Sequence, residues 1–227
     1  MTGRPYILAE TNWEVVRRTQ YEVAVLPWGA TEAHNTHLPY ATDTIQAAAV
    51  AVSAASEAWA AGAKVVVLPA VPFGVNTGQI AVPLCLNMNP STQQALLADL
   101  VQVLEQHGVR KLVILNGHGG NCFRQIIREL QPRTRVLLYQ VHWWKCLDAG
   151  QYFAVPGDHA GELETSVMQA VAPELVRPLS EAGAGREKPY ALRACREGWA
   201  WTQRRWEQAT DDTGVGAPSA ATPEKGR

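Results

Sequence analysis

The sequence lacks an excess of either charge and lacks paired cysteines. Charged residues make up 18% of its 227 positions, and 20 Lys and Arg nearly balance 21 Asp and Glu, for a formal net charge of -1. Nucleic acids and anionic membranes attract clustered Lys and Arg, so this balance argues against both as partners. The four cysteines form no C-x-x-C pair, which argues against a disulfide framework or a thiolate zinc site.

The chain also lacks a run of about 18 uncharged apolar residues, the length that a membrane-spanning helix needs. Residues 1–10 do not combine a basic region with an apolar run, the pattern of a secretory signal. We therefore expect a cytoplasmic protein with reduced thiols.

Motifs of several enzyme classes are missing as well. The sequence has no G-x-G-x-x-G dinucleotide fingerprint, no G-x-x-x-x-G-K-[ST] phosphate loop, no G-x-S-x-G nucleophile elbow and no H-E-x-x-H zinc helix. Cys122, which follows a glycine pair at a predicted helix N-terminus, is a candidate nucleophile. An apolar filler is the commoner role of such a cysteine.

What the chain does contain is an alternation of short apolar runs and longer helical stretches, which predicts an α/β fold with a mainly parallel sheet. The apolar runs are 21–29, 64–71, 111–117 and 134–144. Helices are predicted at 44–61, 91–107, 121–130 and 161–172. With 47% hydrophobic residues the chain can bury a core.

The C-terminal part has a different composition from the rest. A Trp-rich piece with Trp199, Trp201 and Trp206 is expected to pack on the core or on a neighbouring subunit. The residues beyond about Thr210 are rich in Gly, Pro, Ala and Thr, which predicts a mobile tail that is dispensable for chemistry. We therefore divide the chain into one domain, 1–206, and a flexible tail, 207–227.

Acid and imidazole side chains cluster after three of the apolar runs. Ligands of parallel α/β sheets bind beyond the carboxyl ends of the strands, so these clusters are expected to meet. Such mixed ligands suit Zn, Mn or Fe(II), and a shared carboxylate makes a two-metal site. The clustered residues are Glu32, His34, His37 and Asp43 after the first run, His118 after the third, and Asp158, His159, Glu162 and Glu164 after the fourth.

Taken singly, several of these residues have an ordinary structural explanation. Asp43 and Asp158 could be helix N-caps. His107 and His142 are interpreted as surface or hydrogen-bonding histidines. The convergence of three clusters on predicted strand ends favours a metal site for the set.

The three motifs together resemble the creatininase (creatinine amidohydrolase) family. The resemblance rests on G-A-T-E-A-H-N-T-H-L-P-Y-A-T-D (29–43), N-G-H-G-G-N (116–121) and D-H-A-G-E-L-E-T-S (158–166), and spans about residues 20–176. It implies a three-layer αβα fold, frequently assembled as a hexamer, with two divalent ions per chain and a metal-bound water that attacks a carbon–nitrogen bond. By the same resemblance, Glu32, Asp43 and His118 would hold one ion, and His34 and Asp43 the other.

The sequence departs from creatininase itself at Gly120, where that enzyme carries a Glu that ligates the second metal. Glu162 and Glu164 are candidates to replace it. Two residues so close on a helix are not expected to face the same ion, and of the two we favour Glu164 as the ligand. His159 resembles the proton-handling histidine of the family and is the candidate general acid, with Glu162 as a second catalytic candidate.

A second departure lies in the segment N-T-G-Q-I-A-V-P-L-C-L-N, where relatives often carry a His before a Pro-Gly-Thr turn. Asn76, Thr77 and Gln79 could recognise a substrate, or could simply form a solvated turn. Trp143 and Trp144 could line the pocket, and packing in the core or at a subunit interface is the alternative.

These observations predict a metal-dependent amidohydrolase for a small cyclic amide, formamide or peptide-like substrate. Creatinine is disfavoured as the substrate because of Gly120. The alternatives are a non-catalytic binding or assembly subunit of the same fold, and a hydrolase of a sugar-ring or carbon–carbon bond. The resemblance also implies a homo-oligomer.

Overall fold

The four predicted apolar runs form one parallel sheet. The computed structural model describes residues 3–155 and 157–227. Within them the sheet order is β2-β1-β3-β4, and Val23 of β1 is in register with Val65 of β2 and Lys111 of β3. The strands are β1 (Val23–Trp28), β2 (Val65–Val67), β3 (Lys111–Asn116) and β4 (Leu137–His142).

The helices alternate with the strands, as predicted. The longer ones begin and end within three residues of the predicted bounds, and Asp43 lies in the first turn of its helix instead of capping it. The helices are α1 (Trp13–Val16), α2 (Thr42–Ala60), α3 (Pro90–Gln106), α4 (Arg124–Leu130), α5 (Glu162–Val171), α6 (Arg193–Arg196) and α7 (Trp206–Ala209).

Each face of the sheet is covered by helices, which makes the fold a three-layer αβα arrangement. On one face, α3 and α4 bury side chains such as Leu97 and Ile126 against Leu112 of β3. On the other face, Ala51 and Ala55 of α2 pack on Val65. The predicted fold class is confirmed.

Small residues bring the start of α2 against the carboxyl ends of the two central strands. A Cβ at Gly29, just after β1, would overlap the backbone of Thr44, and a Cβ at Gly117, just after β3, would meet the carbonyl of Asp43 at 2.6 Å. Only glycine permits this close approach. Asp43 is thereby placed between the ends of β1 and β3, where the chain connections diverge and ligands of α/β sheets bind.

The C-terminal segment, which the sequence analysis predicts to be a flexible tail, packs on the domain. Val215 pairs with His159 through backbone hydrogen bonds, the backbone N–H of Thr222 donates to Ser166 Oγ, and Lys225 forms an ion pair with Glu162. The composition pointed to a tail because few large apolar residues occur there. Backbone hydrogen bonds and one ion pair hold the segment instead.

The described part of the chain contains no helix that is both long and apolar enough to cross a membrane.

Candidate metal centre

The three acid and imidazole clusters meet at the carboxyl edge of the sheet. Glu32 and His34 lie on the loop after β1, Asp43 in the first turn of α2, His118 after β3 and Glu164 in the first turn of α5. The first four are almost completely buried, and 18% of the Glu164 side chain is exposed. The predicted convergence of these residues is present in the structure.

Asp43 lies between two imidazoles and presents one carboxylate oxygen to each. Its Oδ1 is 2.9 Å from His34 Nε2, and its Oδ2 is 2.9 Å from His118 Nδ1. His118 Nδ1 is also 2.9 Å from Glu32 Oε1, and His34 Nε2 is 3.9 Å from Glu164 Oε2. Two donor sets therefore share Asp43: Glu32, Asp43 and His118, and His34, Asp43 and Glu164.

The charges in this cluster strongly affect one another. Burial lowers the pKa of His34, but the carboxylates of Asp43, Glu164 and Glu32 outweigh it and raise the pKa to about 10. Burial would raise the pKa of Asp43, but the imidazoles of His34 and His118 hold it well below its usual range. Burial, together with Asp43 and Glu32, raises the pKa of Glu164 to about 7 although His34 opposes the shift. Three buried carboxylates need nearby positive charge, which protons or divalent ions can supply.

The donor atoms fit divalent ions. His118 Nδ1 carries a single hydrogen, which can be donated to Glu32 or to Asp43 but not to both. If Glu32 accepts it, Asp43 Oδ2 is buried without a hydrogen-bond donor. Ligands at right angles around an ion at about 2.1 Å lie about 3 Å apart, close to the spacing of these atoms. The two sets of oxygen and imidazole ligands suit Zn, Mn or Fe(II).

Gly120 cannot carry a side chain in this loop. A Cβ there would overlap the carbonyl oxygen of Val75 and Nε2 of His118. The metal-ligating Glu of creatininase therefore does not fit at this position unless the loop moves. The carboxylate beside His34 comes from Glu164 of α5 instead.

Glu162, the second catalytic candidate, lies away from the cluster. Its buried carboxylate binds Lys225 Nζ and accepts a hydrogen bond from the backbone N–H of Val155 at 3.0 Å. Burial would raise the pKa of Glu162, but the Lys225 ammonium and the backbone donors have the larger combined effect and hold the pKa below its usual value. The reason is helical geometry, because residues two apart on α5 point to different sides and only Glu164 faces His34.

His159 faces the cluster as predicted. Its Nε2 donates a hydrogen bond to the carbonyl of Ala33 at 2.7 Å, and its Nδ1 is 3.8 Å from Glu32 Oε1. Burial and the neighbouring charge of His34 lower the pKa of His159. Because Nε2–H is held by Ala33, Nδ1 is the ring nitrogen that faces the cluster and can exchange a proton there.

The three polar residues predicted to bind substrate are held by protein contacts. Asn76 and Gln79 line the cleft, but Asn76 Nδ2 donates to the carbonyl of Leu86 at 3.0 Å. Gln79 Nε2 donates to Glu32 Oε2, and Gln79 Oε1 accepts from Cys85 Sγ at 3.2 Å. Gln79 therefore orients a candidate metal ligand, a contact that the sequence pattern did not reveal.

Thr77 does not point into the cleft as a free polar group. Its hydroxyl donates to Gln203 Oε1 at 3.0 Å in an exposed contact. This contact joins the short turn at Thr77–Gln79 to the Trp-rich segment.

The cleft above the cluster has a volume of about 690 Å³, and its wall combines tryptophan and tyrosine side chains with polar and charged residues. Trp143 and Trp144 both line it, and Trp143 also packs against the core beside α2. Sequence reasoning missed several other lining residues because nothing in the Trp-rich segment shows where it packs. These are Tyr190, Trp201, Gln203, Arg204 and Trp206.

His37, His142 and Cys122 lie outside these two donor sets. His37 Nε2 contacts Thr165 Oγ1 at 2.9 Å, and burial and the charge of His34 lower the pKa of His37 to about 4. His142 is half-buried, and Asn116 Nδ2 lies 3.1 Å from its Nδ1. Cys122 is exposed at the cleft wall.

Comparison with known proteins agrees with this geometry. The family model for creatinine amidohydrolase matches residues 9–227. The chain belongs to the creatininase family. The resemblance noted in the sequence is thus confirmed, and so is the predicted enzyme class, a hydrolase.

Relatives in the creatininase family carry different names. A mycofactocin precursor peptide peptidase of Mycobacterium ulcerans (strain Agy99) is 30% identical over 219 residues, which cover 89% of this chain and 78% of that protein. The protein of the same name from Mycolicibacterium smegmatis is 31% identical over 158 residues, and this chain covers only 59% of its length.

Solved structures of the creatininase family share the fold. A candidate creatinine amidohydrolase from Bacteroides fragilis NCTC 9343 has a TM-score of 0.94 and 44% identity, and the alignment covers 99% of this chain and 90% of that one. A creatininase described with Mn has a TM-score of 0.77 at 22% identity, with 98% and 92% of the two chains covered.

Proposed function

We propose that this protein is a metal-dependent amidohydrolase that cleaves a carbon–nitrogen bond in a small cyclic amide, formamide or peptide-like substrate. The observation that carries this proposal is Asp43, buried between His34 and His118 with an oxygen directed at each. A carboxylate shared between two ligand sets is the arrangement of two-metal hydrolases. The catalytic reading is favoured over a binding subunit because both donor sets are complete.

The residues of the centre would have separate tasks. Glu32, Asp43 and His118 would hold one ion, and His34, Asp43 and Glu164 the other. Divalent ions in such a centre polarise a carbonyl and provide a hydrolytic nucleophile near neutral pH. Gln79 keeps Glu32 Oε2 occupied, so that Oε1 faces His118.

His159 is the proposed proton carrier. Its Nε2–H is held by the Ala33 carbonyl, so Nδ1 is the atom that takes up a proton and passes it to the departing nitrogen. The depressed pKa of His159 favours release of that proton.

The cleft favours a peptide-like substrate over creatinine. A volume of about 690 Å³ far exceeds the space that a single small ring needs, and Gly120 removes the creatininase ligand at that position. Two relatives that carry the name mycofactocin precursor peptide peptidase support a peptide-like substrate. We also propose a homo-oligomer, with a hexamer as the assembly to test first, and a cytoplasmic location.

Elemental analysis by mass spectrometry tests the proposal, with protein quantified in the same sample. We expect about two equivalents of Zn, Mn or Fe per chain, and hydrolysis of peptides, formamides or lactams that a chelator abolishes. Absence of metal after reconstitution with these ions would contradict it. Turnover that resists chelators and is lost in Cys122→Ala would point to thiol chemistry instead.

A further inference from the structure

The segment of residues 204–225, here called the C-terminal strap, runs along the loop and helix that carry His159 and Glu164. The backbone N–H groups of Asp158 and His159 both donate to the carbonyl of Val215, at 2.8 and 3.0 Å, and Val215 N–H donates to His159 at 2.8 Å. The Trp206 ring packs on the His159 ring with centroids 4.7 Å apart. The strap therefore contacts both the backbone and the side chain of the proposed proton carrier.

The far end of the strap is anchored on α5. Lys225 Nζ pairs with Glu162, whose side chain is 1% exposed, and the backbone N–H of Thr222 donates to Ser166 Oγ at 3.1 Å. Glu162 and Ser166 flank Glu164 on the same helix. Lys225 is partly exposed, but its removal would leave the buried carboxylate of Glu162 without a counter-charge, which is costly.

The strap also holds two strained backbone positions. Asn35 and Ala160 adopt left-handed conformations, with φ of 54° and 51°, directly after His34 and His159. Asparagine tolerates this region, whereas alanine persists there only where its surroundings hold it. The backbone N–H of Asn35 donates to Thr213 Oγ1 at 3.0 Å, and the residue before Ala160 is paired with the strap.

We propose that the C-terminal strap is a positioning element of the metal centre, which holds His159 and Glu164 in the orientation that the reaction needs. This inference rests on the proposed function. It also accounts for two departures from the sequence predictions, because the acid expected in catalysis, Glu162, anchors the segment that was expected to be a dispensable tail.

The test uses full-length variants of the ion pair. Lys225→Met removes the anchor, and the double variant Glu162→Gln with Lys225→Met removes it without leaving a buried charge. Lys225→Arg restores the charge, and Lys111→Met changes an exposed lysine of β3 as the matched control.

Two readouts separate positioning from general destabilisation. Hydrogen exchange of the amides of Asp158, His159 and Val215 is expected to rise about tenfold in Lys225→Met and in the double variant. In visible absorption titrations with Co(II), the second equivalent is expected to bind about tenfold more weakly while the first is unchanged, because Glu164 belongs to one donor set only. Lys225→Arg and Lys111→Met are expected to behave like the wild type in both.

The outcomes distinguish the strap from the function. Wild-type exchange and two tight Co(II) equivalents in both anchor variants would overturn the positioning role. If the wild type itself bound no Co(II), the proposed function would be refuted, together with the positioning of Glu164 for a metal ion. Hydrogen exchange in the anchor variants would then decide separately whether the strap holds the loop that carries His159.

Discussion

Replacing Asp43 by Asn tests the one residue that both proposed metal sites share. Asn keeps the size of the side chain but removes its negative charge and one of its two acceptor oxygens. Asp43 is buried, and each of its oxygens lies 2.9 Å from an imidazole nitrogen, so an ion bound to His34 or His118 would lie within about 4 Å of it. Unit charges at about 4 Å interact with about 4 kcal/mol at an effective dielectric constant of about 20.

Because about 1.4 kcal/mol corresponds to a factor of ten, the lost charge weakens the binding of each ion by about three orders of magnitude. We expect Asp43→Asn to be purified with well under one metal equivalent and without hydrolytic activity, while its far-UV circular dichroism stays that of the wild type. The assay is elemental analysis combined with competition against a chromophoric chelator. Asp99→Asn, an exposed acid on α3, is the matched control. Two retained equivalents with wild-type affinity would refute the shared role of Asp43.

Three further substitutions test other parts of the structure. Gln79→Leu removes the hydrogen-bond donor to Glu32 Oε2. We expect metal binding to weaken about 10- to 100-fold in the same chelator competition. Unchanged metal affinity would show that Gln79 does not support Glu32 as a ligand. Phe123→Ala opens a cavity beside Trp28 in the core. We expect it to lower the free energy of unfolding by about 3–5 kcal/mol in urea titrations. A loss below about 1 kcal/mol would contradict the close packing of Phe123 against Trp28. The pKa of His37 is about 4 in the folded chain and about 6.5 in the unfolded chain. Between these pH values the unfolded chain therefore binds one more proton at His37 than the folded chain does. The free energy of unfolding falls by roughly 3 kcal/mol as the pH decreases from about 6.5 to about 4. His37→Gln is expected to flatten this part of the stability curve, and an unchanged slope would count against a buried neutral His37.

The sequence predicted those features that depend on local patterns. Apolar runs such as 111–117 alternate with helical stretches, and that alternation is enough to indicate a parallel sheet with helices on both faces. The rule that ligands lie beyond strand ends then predicted that Glu32, Asp43 and His118 meet. The structure places them within hydrogen-bonding distance of one another.

The partners of Glu162 and Glu32 could not be predicted in the same way. Lys225 lies 63 residues from Glu162, and Gln79 lies 47 residues from Glu32. No periodicity in the sequence connects such pairs. The local rule that neighbours on a helix face different directions separated Glu162 from Glu164, but it did not show which of the two turns towards His34.

By itself, the sequence determined the α/β class and the kinds of ligand after each strand, because both follow from hydrophobic period and from residue type. The tertiary structure alone decided that Glu164 joins the cluster, that Gln79 supports Glu32, and that the C-terminal strap packs on His159. The physical reason is that these contacts join segments distant in the chain. A composition poor in large apolar residues does not reveal that backbone hydrogen bonds and one partly buried ion pair can hold such a segment in place.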